Sequence, residues 1–362
     1  MPTVPPNQPG RILVIRTDRI GDTLLSTPAL SALRERYPAS RIAMLVTPYT
    51  QQVIAGHPAL DGTLIDDRTG LHRGLAGFLR LAKTLRNECF DTAIVLHPTL
   101  RLALLCLLCG IPTRVGTGYR AYSFLFNRRV YEHRKDARRH EVALNLSLVF
   151  ALTGEVAKPE PILIIPDEAH NVITKRLGKW GIGPDEPVVT LHPGSGGSAR
   201  SWPAASYARL GQKLMDMGIR VVLTGGPGER PLVEGIAVTM TPPPFVTVDD
   251  LTIKELAALL AKSRLCITNS TGPLHMAAAV KTPTVALFCP ITPCSPTRWG
   301  PYGDGHVVMQ PDVPACPKCI ETACPYFDCM ERISVDSVFQ AAQEILAATD
   351  RPVVKQTTPR SP

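Results

Sequence analysis

The sequence predicts an α/β protein built as two halves, each a parallel sheet with helices on its faces. Three observations carry this. Short apolar runs alternate with stretches of helical spacing, which implies parallel strands joined by right-handed helical crossovers. The alternation starts afresh at Val188-Val189-Thr190-Leu191, after the glycine- and proline-rich Gly181-Ile182-Gly183-Pro184-Asp185-Glu186-Pro187. A chain of 362 residues, 44% hydrophobic and 19% charged, is long enough for two full cores.

In the first half, Arg11 to Arg16, Arg41 to Val46 and Thr92 to Leu96 read as strands. Thr17-Asp18-Arg19-Ile20-Gly21-Asp22 is a polar turn, and Leu24 to Arg36 follows with apolar residues near helical spacing and Pro28 early enough to be tolerated. Leu102 to Cys109 is the longest apolar run, too short to span a bilayer and so a buried helix. Glu141 to Leu152 is an apolar helix ended by Gly154. The proline-bounded Ile162-Leu163-Ile164-Ile165 looks like a strand, and Asp167 to Lys179 is a helix. The glycine-rich seam then sets the expected division: tail 1–10, first domain 11–183, second domain 184–332, a C-terminal helix 333–348 and tail 349–362.

The segment Arg114 to His140 departs from the pattern. It carries Arg114, Arg120, Arg128, Arg129, Arg134, Lys135, Arg138 and Arg139 against only Glu132 and Asp136, with Tyr119, Tyr122, Phe124, Phe126 and Tyr131 interleaved. Most such runs are solvated surface. The net charge of +8 makes a face that contacts an anion more plausible here, with Arg128, Arg129, Arg138 and Arg139 as its candidates. Basic and aromatic residues together also suit single-stranded nucleic acid.

The second half holds three turns able to bring backbone close to a ligand. The first is Gly194-Ser195-Gly196-Gly197-Ser198-Ala199-Arg200, with a fixed positive charge at its end. The second is Gly225-Gly226-Pro227-Gly228-Glu229, after the strand Ile219 to Thr224. The third is Asn269-Ser270-Thr271-Gly272-Pro273-Leu274-His275, between the strand Leu265 to Thr268 and an alanine-rich helix. A strand–loop–helix of this kind aims unpaired N–H groups and a positive dipole end at one spot, which attracts phosphate. The ordinary alternative is a capped helix. The Gly225 to Glu229 turn lacks the G-x-G-x-x-G spacing, and the chain lacks a Walker lysine loop. Thr252-Ile253-Lys254-Glu255 is a capping box, Pro283 to Phe288 a late strand, and Val335 to Ala348 an amphipathic helix.

The start, Met1 to Gly10, lacks a basic segment followed by an apolar core, so a cytoplasmic location with mostly reduced cysteines is expected. Cys316-x2-Cys319-x4-Cys324-x4-Cys329 places four thiols in one short loop. This spacing could wrap a structural zinc or an iron–sulfur cluster; free thiols are the alternative.

Three stretches together carry a resemblance. Arg16-Thr17-Asp18-Arg19-Ile20-Gly21-Asp22-Thr23-Leu24-Leu25-Ser26-Thr27-Pro28-Ala29-Leu30, His192-Pro193-Gly194-Ser195 with Arg200-Ser201-Trp202-Pro203, and Ser270-Thr271-Gly272-Pro273-Leu274-His275 resemble, in order, motifs of the ADP-heptose–lipopolysaccharide heptosyltransferases, glycosyltransferase family nine. The resemblance implies a GT-B fold: two Rossmann-like domains facing across a cleft, with the C-terminal helix packing back on the first. It implies Asp22 as catalytic base, and Arg200 on the donor diphosphate in a place where other members have lysine. Ser195 and Gly196 would contact phosphate, Glu229 the nucleoside, and Thr271, Gly272 and His275 the nucleotide sugar. Ser270 departs from the aspartate common at its position, which bears on which sugar is recognised.

Inverting glycosyl transfer needs a base for the acceptor hydroxyl and a site for the departing diphosphate, roles these residues can fill without a cofactor. On chemistry alone a helix N-cap is the commoner role for Asp22, and only the resemblance reverses that order. The implied partners are ADP-heptose and a lipopolysaccharide core acceptor, at the cytoplasmic face of an anionic membrane. A related transferase with another nucleotide sugar or a protein acceptor is the first alternative. A nucleotide- or RNA-binding protein using the basic aromatic segment is the second; the resemblance argues against nucleic acid as a partner.

Overall fold

The structure, a computed structural model, describes residues 8–155, 158–197 and 199–349. The first half contributes β1 (Arg11–Ile15), β2 (Arg41–Val46), β3 (Gly62–Ile65), β4 (Thr92–Val95), β5 (Thr113–Thr117) and β6 (Arg128–Val130). The second contributes β7 (Val188–His192), β8 (Arg220–Gly225), β9 (Phe245–Val248), β10 (Leu265–Asn269), β11 (Thr284–Leu287) and β12 (His306–Met309). The sheet orders are β3-β2-β1-β4-β5-β6 and β12-β11-β10-β7-β8-β9, and every pairing is parallel. Counted from its own first strand, each half has the same doubly wound order, with its switch point between β1 and β4 or between β7 and β10. The central strands are covered on both faces, which is why they read as unbroken apolar runs: Ile12 to Ile15 and Leu265 to Ile267 are wholly buried. Ile15 lies between Leu45 and Val95, and Ile267 between Leu191 and Val285.

The halves meet through apolar surface. The helices Ile253–Lys262 and Gly272–Ala279 of the second half place Ala257, Leu260, Met276 and Ala277 in one core with Ile20, Leu24, Val53 and Ile54 of the first. Lys254 also crosses, its Nζ donating to the carbonyls of Ala55 (2.9 Å) and Ile164 (2.5 Å).

Several expectations are corrected. The helix Asp167–Lys179 belongs to the second half, because Ala169, Ile173 and Leu177 pack with Val188, Val222, Ala258 and Leu259. The boundary therefore falls before this helix. The Gly181–Pro187 stretch is an internal turn fastened by Glu186, which accepts from Gly183 N (2.6 Å) and pairs with Arg220 (2.7 Å). Ile162 to Ile165 is extended but joins no sheet; Ile162 N–H donates to the Thr27 hydroxyl at 2.9 Å. The C-terminal helix Val335–Thr349 packs on the second half, not the first: Val338, Ala341, Ala342 and Leu346 share a core with Leu210, Leu214 and Ile267. The expected helix from Leu24 is two, Ile20–Leu24 and Thr27–Arg36. Of the expected tails, residues 1–7 and 350–362 lie outside the described residues. Gly10 is held by the Asp91 carboxylate at 2.7 Å, and Thr349 ends the last helix. Among the described residues no helix is long and apolar enough to cross a membrane.

Candidate active site

Both switch points open onto one cleft of about 930 Å³ between the halves. In open parallel sheets this is where ligands bind, because diverging loops at the strand C-termini leave a crevice. The first half supplies the turn from Arg19 to Asp22 and, beyond β2, Tyr49 and Gln52. The second supplies the loops after β7, β8 and β10, with Ser195, Gly196, Glu229, Ser270, Thr271, Gly272 and His275 all on the wall. Three separate turns thus converge.

Those turns are locked together by side chains. Glu229 accepts from Gly196 N (3.1 Å) with one carboxylate oxygen and from Gly226 N (2.8 Å) with the other. A Cβ on Gly194 would lie 2.1 Å from that carboxylate, so only glycine admits it. His192 is pushed down to about 4 by burial, against the opposing pull of Glu229, and is neutral at pH 7. Asn269, at the end of β10, accepts from Trp202 N (2.9 Å) and donates to Pro193 O (2.7 Å), tying both ends of the glycine-rich loop to the strand that leads into Ser270. Trp202 is buried, its indole N–H on Ile333 O at 2.8 Å.

His275 projects from the second half against the first, beside Gly21. Burial pushes it down to about 3, with His140 adding to the effect, and its Nδ1 has no hydrogen-bond partner among the described residues. A buried, neutral imidazole with an unsatisfied nitrogen on a cleft wall is suited to a ligand oxygen.

Asp22 lies in the first turn of the helix Ile20–Leu24, but it is not the cap; Arg19 holds that position. Its carboxylate instead pairs with Arg16, at the end of β1. Burial, with Asp18 and Glu141 adding to it, raises Asp22 from 3.8 to about 6, although Arg16 pulls the other way. A carboxyl group tuned to that value is ionised at neutral pH yet basic enough to accept a proton.

Behind Asp22 stands a cluster whose importance the sequence did not reveal. Glu141 is wholly buried; burial alone would raise it, but Arg16, Arg134 and Arg298 hold it at about 2. Arg16 and Arg134 meet one of its oxygens, while Arg298 crosses from the second half to the other. Arg16 also reaches Asp18 at 2.8 Å. Glu141 was legible only as the first residue of an apolar helix, and Arg134 only as one of a basic run.

Three sets of expected site residues lie outside the cleft. Arg200 does not line the cleft: its guanidinium donates to Phe327 O (2.7 Å) and Cys319 Sγ (3.3 Å). Arg128, Arg129, Arg138 and Arg139 are exposed and outside the cleft; Arg128 and Arg129 donate to the carbonyls of Ala151 and Phe126, and Arg139 pairs with Glu132. Cys316, Cys319, Cys324 and Cys329 are all free thiols, and among the described residues no three His, Cys, Asp or Glu side chains are placed to hold a metal ion.

Comparison with known proteins agrees with the fold. The model of glycosyltransferase family 9 (heptosyltransferase) matches residues 78–327. Lipopolysaccharide heptosyltransferase 3 of Escherichia coli is 27% identical over 274 residues, 74% of this chain and 80% of that protein. The family 9 glycosyl transferase of Veillonella parvula DSM 2008 superposes with a TM-score of 0.84 at 24% identity, covering 94% of this chain and 98% of that one. The E. coli ADP-heptose lps heptosyltransferase II superposes at 0.76 with 22% identity, over 94% and 100%. The paired parallel sheets across a cleft are the expected GT-B-like architecture.

Proposed function

Because the chain belongs to glycosyltransferase family 9, we propose that this enzyme moves heptose from ADP-heptose to an inner-core lipopolysaccharide acceptor, with inversion at the sugar carbon. The observation that carries the reading is the convergence of Asp22 from the first half with the Ser195, Glu229 and Thr271 turns from the second on one cleft. Lipopolysaccharide heptosyltransferase relatives and an ADP-heptose enzyme among the fold neighbours support the substrates.

In this reading the nucleotide lies on the second half. Glu229 faces the nucleoside, and the diphosphate meets backbone N–H groups of the glycine-rich turns and of the helix Gly272–Ala279. His275 contacts the donor through its open nitrogen. Arg200, at the end of the same loop, leaves Cys319 and Phe327 to neutralise the diphosphate. Asp22 accepts the acceptor hydroxyl proton as that oxygen bonds to the sugar carbon and the bond to the diphosphate breaks. The leaving group departs as ADP, stabilised by fixed positive charge, so no cofactor is needed for the chemistry. A structural metal at the four-cysteine loop would require its thiols to be drawn together; elemental analysis of the purified protein decides it. The exposed arginines of the basic segment face an anionic acceptor or the cytoplasmic membrane surface.

The second reading is a related transferase with another nucleotide sugar or a protein acceptor. It is favoured by Ser270, where the family commonly has aspartate. A donor screen by mass spectrometry, with nucleotide release as readout, separates the two. ADP release from ADP-heptose only in the presence of heptose-deficient lipopolysaccharide supports the first; release from a different nucleotide sugar overturns it. Titration with single-stranded RNA tests the non-enzymatic alternative.

A further inference from the structure

Arg298 is the cationic group of the second half that enters the buried cluster behind Asp22. Its Nε and one terminal nitrogen each lie 3.0 Å from the same Glu141 oxygen, and its other terminal nitrogen donates to Arg134 O at 3.1 Å. It comes from the short helix Pro296–Trp299, stacked 4.5 Å over the ring of Trp299, which lines the cleft. One residue further on, Gly300 O is 3.0 Å from His140 Nε2, a second contact across the same seam. These contacts exist only while the halves are apposed.

The charges can be counted. With Arg16, Arg134 and Arg298 against Asp18, Glu141 and an ionised Asp22, the cluster is balanced. Without Arg298 it carries one uncompensated negative charge. In a buried site of low dielectric that excess is relieved most easily by protonating Asp22, the half-buried member at the cleft. The other groups facing Asp22 do not replace Arg298. Arg19 is exposed, His97 stands 3.8 Å from Asp18 and is lowered by burial, and His275 and His140 are likewise lowered and neutral at pH 7.

We infer that Arg298 is a positioning residue through which the second half keeps the Asp22 carboxylate ionised while the halves are apposed. When the cleft is closed, Arg298 binds Glu141, leaves Arg16 to serve Asp22, and keeps the carboxylate ionised. The inference rests on the reading of Asp22 as the base, and it deepens that reading by naming the group of the second half that keeps the base ionised.

The test measures the Asp22 midpoint directly. Protein labelled with 13C at the aspartate carboxyls is titrated with ADP bound, the Asp22 signal being assigned from Asp22→Asn. In Arg298→Gln the midpoint should rise by about one pH unit, the scale on which a neighbouring charge acts. Arg298→Lys should stay close to wild type. Should Arg298→Gln fail to fold, Arg298→Met removes the charge in a second way. An unchanged midpoint in a folded, charge-removed variant overturns the inference. The two readings fail separately. If Asp22→Asn turns over normally, Asp22 is not the base and the inference falls with it. If Asp22→Asn is inactive while the midpoint does not move, only the coupling through Arg298 is wrong.

Discussion

Gly21 and His275 touch across the cleft so closely that a Cβ on Gly21 would lie 2.5 Å from the imidazole Cδ2. The contact joins the helix that carries Asp22 to the helix that would hold the donor. Gly21→Ala should therefore push the halves apart. Overpacking of this kind typically costs about 1–3 kcal/mol. A lower melting temperature and a larger radius of gyration by solution scattering are expected, with turnover falling more than ADP affinity. Unchanged scattering and turnover would show that the contact does not set the closed geometry.

Asp22→Asn keeps the size of the side chain and removes the proposed base. Turnover should drop by about 10²–10⁴. In the wild type, turnover should fall as pH drops through about 6, where Asp22 takes up its proton. The stability effect has the opposite sense. The folded value lies above the ordinary 3.8, so the contribution of this group to stability is present below 3.8 and is lost as pH rises through about 6. At pH 7.5 the asparagine variant should melt no lower than wild type. A less stable variant with near-normal turnover would point to a purely structural role.

Glu141 gives a complementary acid limit. Held at about 2 against an ordinary 4.5, it contributes stability above 4.5 that is lost as pH falls toward 2. Glu141→Gln should flatten the acid-unfolding profile in that window while lowering stability at neutral pH, because three arginines lose their shared anion. A profile unchanged in shape would place the acid transition elsewhere.

Arg200→Ala should weaken ADP binding by about 1.5–3 kcal/mol, the usual worth of a charge-assisted contact. Its bonds to Cys319 and Phe327 are lost too, so melting must be followed in the same samples. Wild-type binding should persist in EDTA, measured by calorimetry. Binding that disappears on chelation and returns with magnesium would exclude a metal-free donor site.

Neutralising Arg128, Arg129, Arg138 and Arg139 together should reduce association with vesicles rich in anionic lipid and flatten its dependence on salt, at roughly 1 kcal/mol per basic residue near the surface. Donor affinity should survive, because none of the four lines the cleft. Unaltered vesicle association would leave them as solvated surface.

The parts of the fold legible in the sequence were those with a strong local cause. The central strands β1, β2, β4, β7, β8, β10 and β11 are apolar because both faces are covered. The edge strands β3, β6, β9 and β12 run three or four residues, are only partly covered, and leave no such run. Glycine and proline density marked Gly181–Pro187 as a seam, yet it is a turn within the second half; turn chemistry reports backbone direction and says nothing of which core a helix joins. The glycine turns of the site were legible because close approach demands glycine locally. The partnership of Glu141 with Arg298 was not, because it spans 157 positions and leaves no local pattern. Leu96-His97-Pro98 and Leu191-His192-Pro193 are alike in sequence, yet they sit at places in the two halves that do not correspond. The first follows the fourth strand of its half, and the second follows the first strand of its own.

Asn269 binds Pro193 on one side and Trp202 on the other, so the intervening loop has its hinges pinned to β10. A loop held this way has little freedom to fold over a ligand as an independent flap. Donor capture would then proceed by movement of one half against the other. Replacing Asn269 would change the kinetics from a door on one hinge to a curtain.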